Sequence, residues 1–167
     1  MADLIGGFVD FLRENQADPA TYLLILFVYV AFAAVALPIP IEAVLLFNPD
    51  LSPFVKAVVL GAGKAVGGAA VFYIGAGVEH VILRMRRWRW FDWLVERSER
   101  FVQRFGYYAM FVILAIPGMI DTIPLYLFSI FNREGQLMTL RGFLLVNFLA
   151  GVARALIFLF IVAELIG

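Results

Sequence analysis

The chain has 167 residues, 63% of them hydrophobic and 16% charged, with a mean hydropathy of +0.94 and a formal net charge of zero. Soluble domains are usually about 45–50% apolar, and a chain this short cannot bury such an excess on itself in water, so an integral membrane protein is expected. The lack of cysteine excludes disulfides and thiolate metal sites, and the single histidine, His80, builds no metal site alone.

Residues 1–17 are acidic and carry Leu4, Ile5, Phe8, Phe11 and Leu12 among charges, which predicts a short amphipathic helix at the membrane interface. This start lacks the basic region of a secretory signal and is expected to be retained. Asp18-Pro19 opens a helix, with Asp as cap and Pro in the first turn. The apolar run over 20–47 is interrupted by Leu37-Pro38-Ile39-Pro40, and Asn48-Pro49-Asp50 and Ser52-Pro53 form a turn cluster. Residues 54–75 are long enough to cross a bilayer. Over 79–105 the character changes, because Phe91, Leu94, Val95, Phe101 and Phe105 recur at helical spacing opposite arginines and glutamates. Trp88, Trp90 and Trp93 beside Arg86, Arg87 and Arg89 predict a basic amphipathic helix at the lipid interface, since indole favours the headgroup layer and arginine meets phosphate. The apolar run over 106–131 is broken at Pro117-Gly118 and again near Pro124, and 137–166 is a second spanning helix.

Two stretches repeat. In Pro38-Ile39-Pro40-Ile41-Glu42 and Pro117-Gly118-Met119-Ile120-Asp121, a proline interrupts an apolar run and an acid follows four residues later. Each is succeeded by an apolar helix with one cation at its middle, Lys64 or Arg154. The expected fold is therefore an all-α integral membrane protein in one domain, 1–167, an inverted repeat of re-entrant helical hairpin plus transmembrane helix with interfacial amphipathic helices. Repeat 1 covers 20–75 and repeat 2 covers 106–167. Full crossing by the two broken segments is the alternative. Hairpins place nine loop cations on one face against Arg13 and Lys56 on the other, and full crossings split them eight to three. The more uneven division suits the positive-inside rule better and puts 79–105 on the cytoplasmic side of a membrane expected to be a prokaryotic plasma membrane. Non-helical backbone at mid-membrane depth survives only inside protein or beside water, so a polar cavity is expected between Glu42 and Asp121, with Pro38, Pro40, Pro117, Gly118 and Pro124 shaping its backbone.

Glu42, Lys64, Asp121 and Arg154 all fall in apolar segments, where each charge costs roughly 2.5–3.5 kcal/mol unless paired or hydrated. Two acids and two bases suggest mutual neutralisation, with Glu42 or Asp121 on Lys64 and the other acid on Arg154. Burial favours the neutral carboxyl, so at least one acid is expected to exchange a proton in turnover. The competing explanation is that the four charges only lock the fold as buried ion pairs. The small-residue face around Gly63, Gly67 and Gly68 predicts close helix approach. Asn147, Gly151 and Arg154 line a stripe of the last helix, where Asn147 either joins the substrate or proton pathway or hydrogen-bonds between helices. No catalytic set, nucleotide loop or metal spacing is present, so neither an enzyme nor a cofactor is expected.

Four ordered patterns resemble those of the VTT-domain family, the DedA-like or SNARE-associated membrane proteins. They are Pro38-Ile39-Pro40-Ile41-Glu42; Gly63-x-x-x-Gly67-x-x-x-x-Phe72-x-x-Gly75; Phe105-Gly106-Tyr107-Tyr108 leading to Ile116-Pro117-Gly118; and Met138-x-x-x-x-Phe143-x-x-x-Asn147-x-x-x-Gly151. The resemblance implies two facing re-entrant loops, translocation or scrambling of phospholipid or a lipid-linked carrier, proton-motive-force dependence, and Glu42 as the functional acid. This chain has Leu114 and Ile120 where many members carry arginines around the second proline, and Arg154 where relatives often have Trp.

Membrane lipids are the expected partners, with a proton or another coupling ion and no nucleic acid; self-association is left open. Two further readings stand beside lipid translocation. One is an ion-coupled carrier or exporter of a small polar solute, and the other is a non-transporting membrane organiser acting through 79–105.

Overall fold

A computed structural model describes residues 18–36, 41–85, 100, 104–131 and 138–166, and among these the chain is helical with no strand. The helices are α1 (Pro19–Ala36), a 3-10 helix (Ile41–Leu46), α2 (Pro53–Met85), α3 (Arg104–Ala115), α4 (Thr122–Phe131) and α5 (Leu140–Ile166). The expected interfacial helix over 1–17 lies outside the described residues, as do Pro38, Pro40, Arg86, Arg87, Trp88, Arg89, Trp90 and Trp93.

Helix starts follow local chemistry. Asp18 accepts from the Thr21 N–H at 3.0 Å and from the Thr21 hydroxyl, while its carbonyl receives the Tyr22 N–H at 3.0 Å. Ser52 precedes Pro53 and its carbonyl receives the Lys56 N–H at 3.2 Å. The Asp121 carbonyl takes the Leu125 N–H at 3.0 Å to begin α4, whose first turn tolerates Pro124 because its missing N–H has no intrahelical use there. Thr139 caps α5, taking the Gly142 N–H on its hydroxyl at 3.2 Å. α1 ends at Ala36, just ahead of Leu37-Pro38, where the α conformation becomes costly.

Two boundaries differ from expectation. α2 does not stop near residue 75 but continues to Met85, so 79–85 belongs to its helix and not to a separate element. Glycine within a helix costs about 1 kcal/mol, too little for Gly75 and Gly77 to end one. At the other end of the basic stretch, Arg104 and Phe105 already belong to α3.

Side-chain contacts give the helix directions. The Lys56 ammonium sits over the Tyr22 ring at 5.7 Å, Gly63 faces Phe27 and Val30, and Gly67 faces Ala31 and Ala34, so α1 and α2 run parallel. The chain therefore returns along α1 between them, and the Tyr22 hydroxyl on the first turn of α1 reaches the Val44 carbonyl at 2.8 Å. α3 and α5 repeat the arrangement: Tyr107 bonds Thr139 at one end, while Asp121, just past α3, meets Arg154 further along. α2 and α5 run antiparallel, with Gly61 on Phe148 and Val152 and Gly68 on Asn147. Among the described residues two helices, Pro53–Gly75 and Leu140–Leu165, are long and apolar enough to cross a membrane.

The interior falls into two apolar clusters, one around Tyr22, Leu26, Val30, Leu45 and Leu60, the other around Met110, Leu114, Leu125, Phe128 and Phe143. Large apolar side chains also cover the outside, including Leu24, Val28 and Phe32 on α1 and Ile157, Phe160, Ile161 and Leu165 on α5. Glu42, Lys56, Lys64, Asp121 and Arg154 are buried while these apolar groups are exposed.

A Cβ at Gly67 would lie 2.5 Å from the Ala31 carbonyl oxygen and 2.7 Å from the Ala34 Cβ. Gly67→Leu is thus expected to push α1 off α2 and cost at least about 1–3 kcal/mol, read as a lower unfolding midpoint in detergent. The Thr21 hydroxyl and N–H hold the Asp18 carboxyl below its ordinary value of 3.8. The sign follows: this contribution is complete above the ordinary carboxylate pKa and disappears as pH falls through the lowered one. Asp18→Ala should therefore lower the unfolding midpoint near neutral pH but make little difference in strong acid.

Candidate functional site: a buried four-charge cluster

Antiparallel α2 and α5 cross where Gly61 meets Gly151, whose missing side chains let the backbones approach: a Cβ on Gly151 would be 2.9 Å from the Gly61 Cα. Three residues beyond each glycine stands a cation, Lys64 on α2 and Arg154 on α5. Because the helices point opposite ways, the cations sit on opposite sides of the crossing, about one turn from it. The acids arrive from the broken segments. Glu42 is the second residue of the 3-10 helix, and Asp121 is the residue from which α4 starts.

Asp121 takes the Lys64 ammonium at 3.0 and 3.1 Å on its two oxygens and Arg154 Nη1 at 2.7 Å. Glu42 Oε1 accepts from Arg154 Nε at 2.5 Å and from the Gly118 N–H at 2.7 Å. The cations also serve freed backbone. Lys64 donates to the Leu114 carbonyl at 3.1 Å, in the last turn of α3, and Arg154 Nη2 donates to the Met119 carbonyl at 2.6 Å. All four side chains are buried, Lys64 completely.

Gly118 makes this geometry attainable. Its φ of +78° after Pro117 matches the third position of a type II turn, a conformation costly for any residue with a Cβ. The turn aims the Gly118 N–H at Glu42, so the second broken segment contacts the acid of the first.

The arrangement alters two expectations. The charges do not form two separate pairs: Arg154 is shared by both acids, Lys64 binds Asp121, and Glu42 joins through Arg154. The space expected to be a polar cavity between Glu42 and Asp121 is spanned by that guanidinium, whose planar fork suits two carboxylates at once. Asn147, fully buried, lies beside Gly68 and donates to the Phe143 carbonyl one turn back at 3.1 Å. This bond stays within α5 instead of joining the cluster. Glu42 Oε2 and Asn147 Oδ1 are the two buried side-chain oxygens without a hydrogen-bond partner among the described residues.

Sequence reasoning missed Lys56. Assigned to a loop face, it is in fact 3% exposed and donates to the Leu45 and Phe47 carbonyls at 3.1 and 2.8 Å. Its spacing held the signal, because Lys56, Leu60 and Lys64 recur every four residues on one side of a helix. The main-chain partners Gly118, Leu114 and Met119 had no side-chain signature to find.

Among the described residues, no group of three or more His, Cys, Asp or Glu side chains could hold a metal ion. No family model matches the chain, and no curated protein or solved structure matches it either.

Removing Arg154 would leave two buried carboxylates without their shared cation. Arg154→Met is expected to cost about 3–5 kcal/mol, as for other broken buried ion pairs. Adding Glu42→Gln to that variant should restore part of the loss, because one of the stranded charges is then gone. Unfolding midpoints of the single and double variants check both outcomes.

Proposed function

We propose that this protein is an integral membrane translocase that moves a phospholipid or lipid-linked carrier across the bilayer, using the four-charge cluster as its phosphate-exchange point. The observation that carries the reading is the convergence of Glu42 and Asp121, from two interrupted segments, on Lys64 and Arg154, from two helices of spanning length. Ionisable groups at that depth are expensive, and where they occur they commonly mark a pathway.

In this reading α1 with the 3-10 helix, and α3 with α4, are re-entrant hairpins that enter from opposite faces. The parallel α1/α2 and α3/α5 pairs and the antiparallel α2/α5 pair support such an inverted repeat, as does the apolar exterior. The local patterns similar to VTT-domain proteins point the same way. The basic stretch around Arg86, Arg87 and Arg89 then faces the cytoplasm.

The chemistry is competition for cations. A lipid phosphate offers oxygens equivalent to those of a carboxylate, and arginine binds either in the same two-pronged manner. When a headgroup arrives, its phosphate replaces Glu42 on Arg154 or Asp121 on Lys64. A proton taken up by the displaced acid, with Oε2 of Glu42 already lacking a partner, keeps the site from accumulating negative charge. Acyl chains remain in the bilayer while the headgroup passes the α2/α5 crossing.

Purified protein in vesicles of fluorescent phospholipid, with a membrane-impermeant quencher outside, tests this. The expected result is quenching beyond the outer-leaflet half, slowed about 100-fold by Arg154→Gln as a loss of charge stabilisation worth a few kcal/mol. Folded protein that exchanges lipid no faster than empty vesicles would overturn the proposal. Flux of a small solute without lipid movement would instead favour a solute carrier.

A further inference from the structure

Glu42 rides on a very short element. The six-residue 3-10 helix carries it near one end, and the other end is gripped by side chains from the starts of two longer helices. The Tyr22 hydroxyl of α1 donates to the Val44 carbonyl at 2.8 Å, and the Lys56 ammonium of α2 donates to the Leu45 and Phe47 carbonyls at 3.1 and 2.8 Å. The ammonium also lies 5.7 Å from the centre of the Tyr22 ring, joining the two grips. The Leu45 and Phe47 carbonyls at this end are thereby held by a buried cation, and the Val44 carbonyl, which also accepts the Phe47 N–H at 3.4 Å, by a buried phenol. A two-turn helix is about 12 Å long, so what is fixed at one end is transmitted to the other.

We infer that Lys56, with Tyr22, is a positioning residue that sets the place of Glu42 against Arg154 without touching either. It forms the fixed end of a strut whose other end carries the acid, and the acid swings about that fixed end when Arg154 exchanges partners. The swing rests on the translocation reading; the positioning itself does not.

The experiment has two arms. In the first, unfolding midpoints are measured for Lys56→Met, Glu42→Gln and the double variant, with Tyr22→Phe replacing Lys56→Met should the latter not fold. Positioning predicts a double-variant loss clearly smaller than the sum, because a displaced Glu42 no longer has its full bond to lose. Additive losses would overturn the inference, since a clasp serving only local stability does not couple to a residue it does not touch. In the second arm, lipid exchange in vesicles should fall about tenfold for Lys56→Met, as misplacement of a reacting group does, and recover in Lys56→Arg, which restores the charge. Unchanged exchange in Lys56→Met beside active wild type would also overturn the inference. An inactive wild type would instead sink translocation, leaving the thermal arm to decide the clasp.

Discussion

Arg154 is the contact on which the rest of this architecture depends. Its guanidinium reaches from α5 to Glu42 on one broken segment and to Asp121 on the other, and its third bond holds the Met119 carbonyl. Two carboxylates delivered to one buried place repel each other and lose hydration, each at a cost of several kcal/mol. A planar cation with donors along two edges can answer both at once, which a single ammonium cannot do with the same geometry. Lys64 then completes neutrality from the opposite side of the helix crossing. The crossing itself is possible because Gly61 and Gly151 meet there, so long side chains on both helices can reach one point.

The same side chains repair the damage done by the chain breaks. Interrupting a helix inside a protein frees carbonyls on one side and N–H groups on the other, and these need partners when water is excluded. Leu114 and Met119 carbonyls go to Lys64 and Arg154, and the Gly118 N–H goes to Glu42. At the end of α1, the Ala33 and Val35 carbonyls accept from Thr122 and Tyr126 of α4. Charge pairing and backbone satisfaction are thus one network. Opening the cluster requires new partners for backbone as well as for side chains.

The two halves share a plan but not a build. The return leg of the first is a six-residue 3-10 helix clasped by a buried cation and a phenol. That of the second is the ten-residue α4, tied by the Ser129 hydroxyl to the Val71 and Phe72 carbonyls where Gly75 leaves room. Glu42 therefore sits on the short, charge-clasped leg, and Asp121 begins the longer one.

Much was legible in the residues alone. Asp18-Pro19 marks a helix start because capping is local chemistry, and Pro38 and Pro117 mark the interruptions because proline removes a donor wherever it stands. The four charges stood out because they are rare in apolar runs, and that rarity depends on composition, not on folding. The sharing of Arg154, the place of Gly118 opposite Glu42 and the burial of Lys56 were decided only by tertiary structure. Each depends on which elements become neighbours across 9 to 112 residues of chain. Hydrogen bonds to main-chain groups leave no mark in a sequence, since every residue offers the same carbonyl, and only the packed fold selects the one that is used.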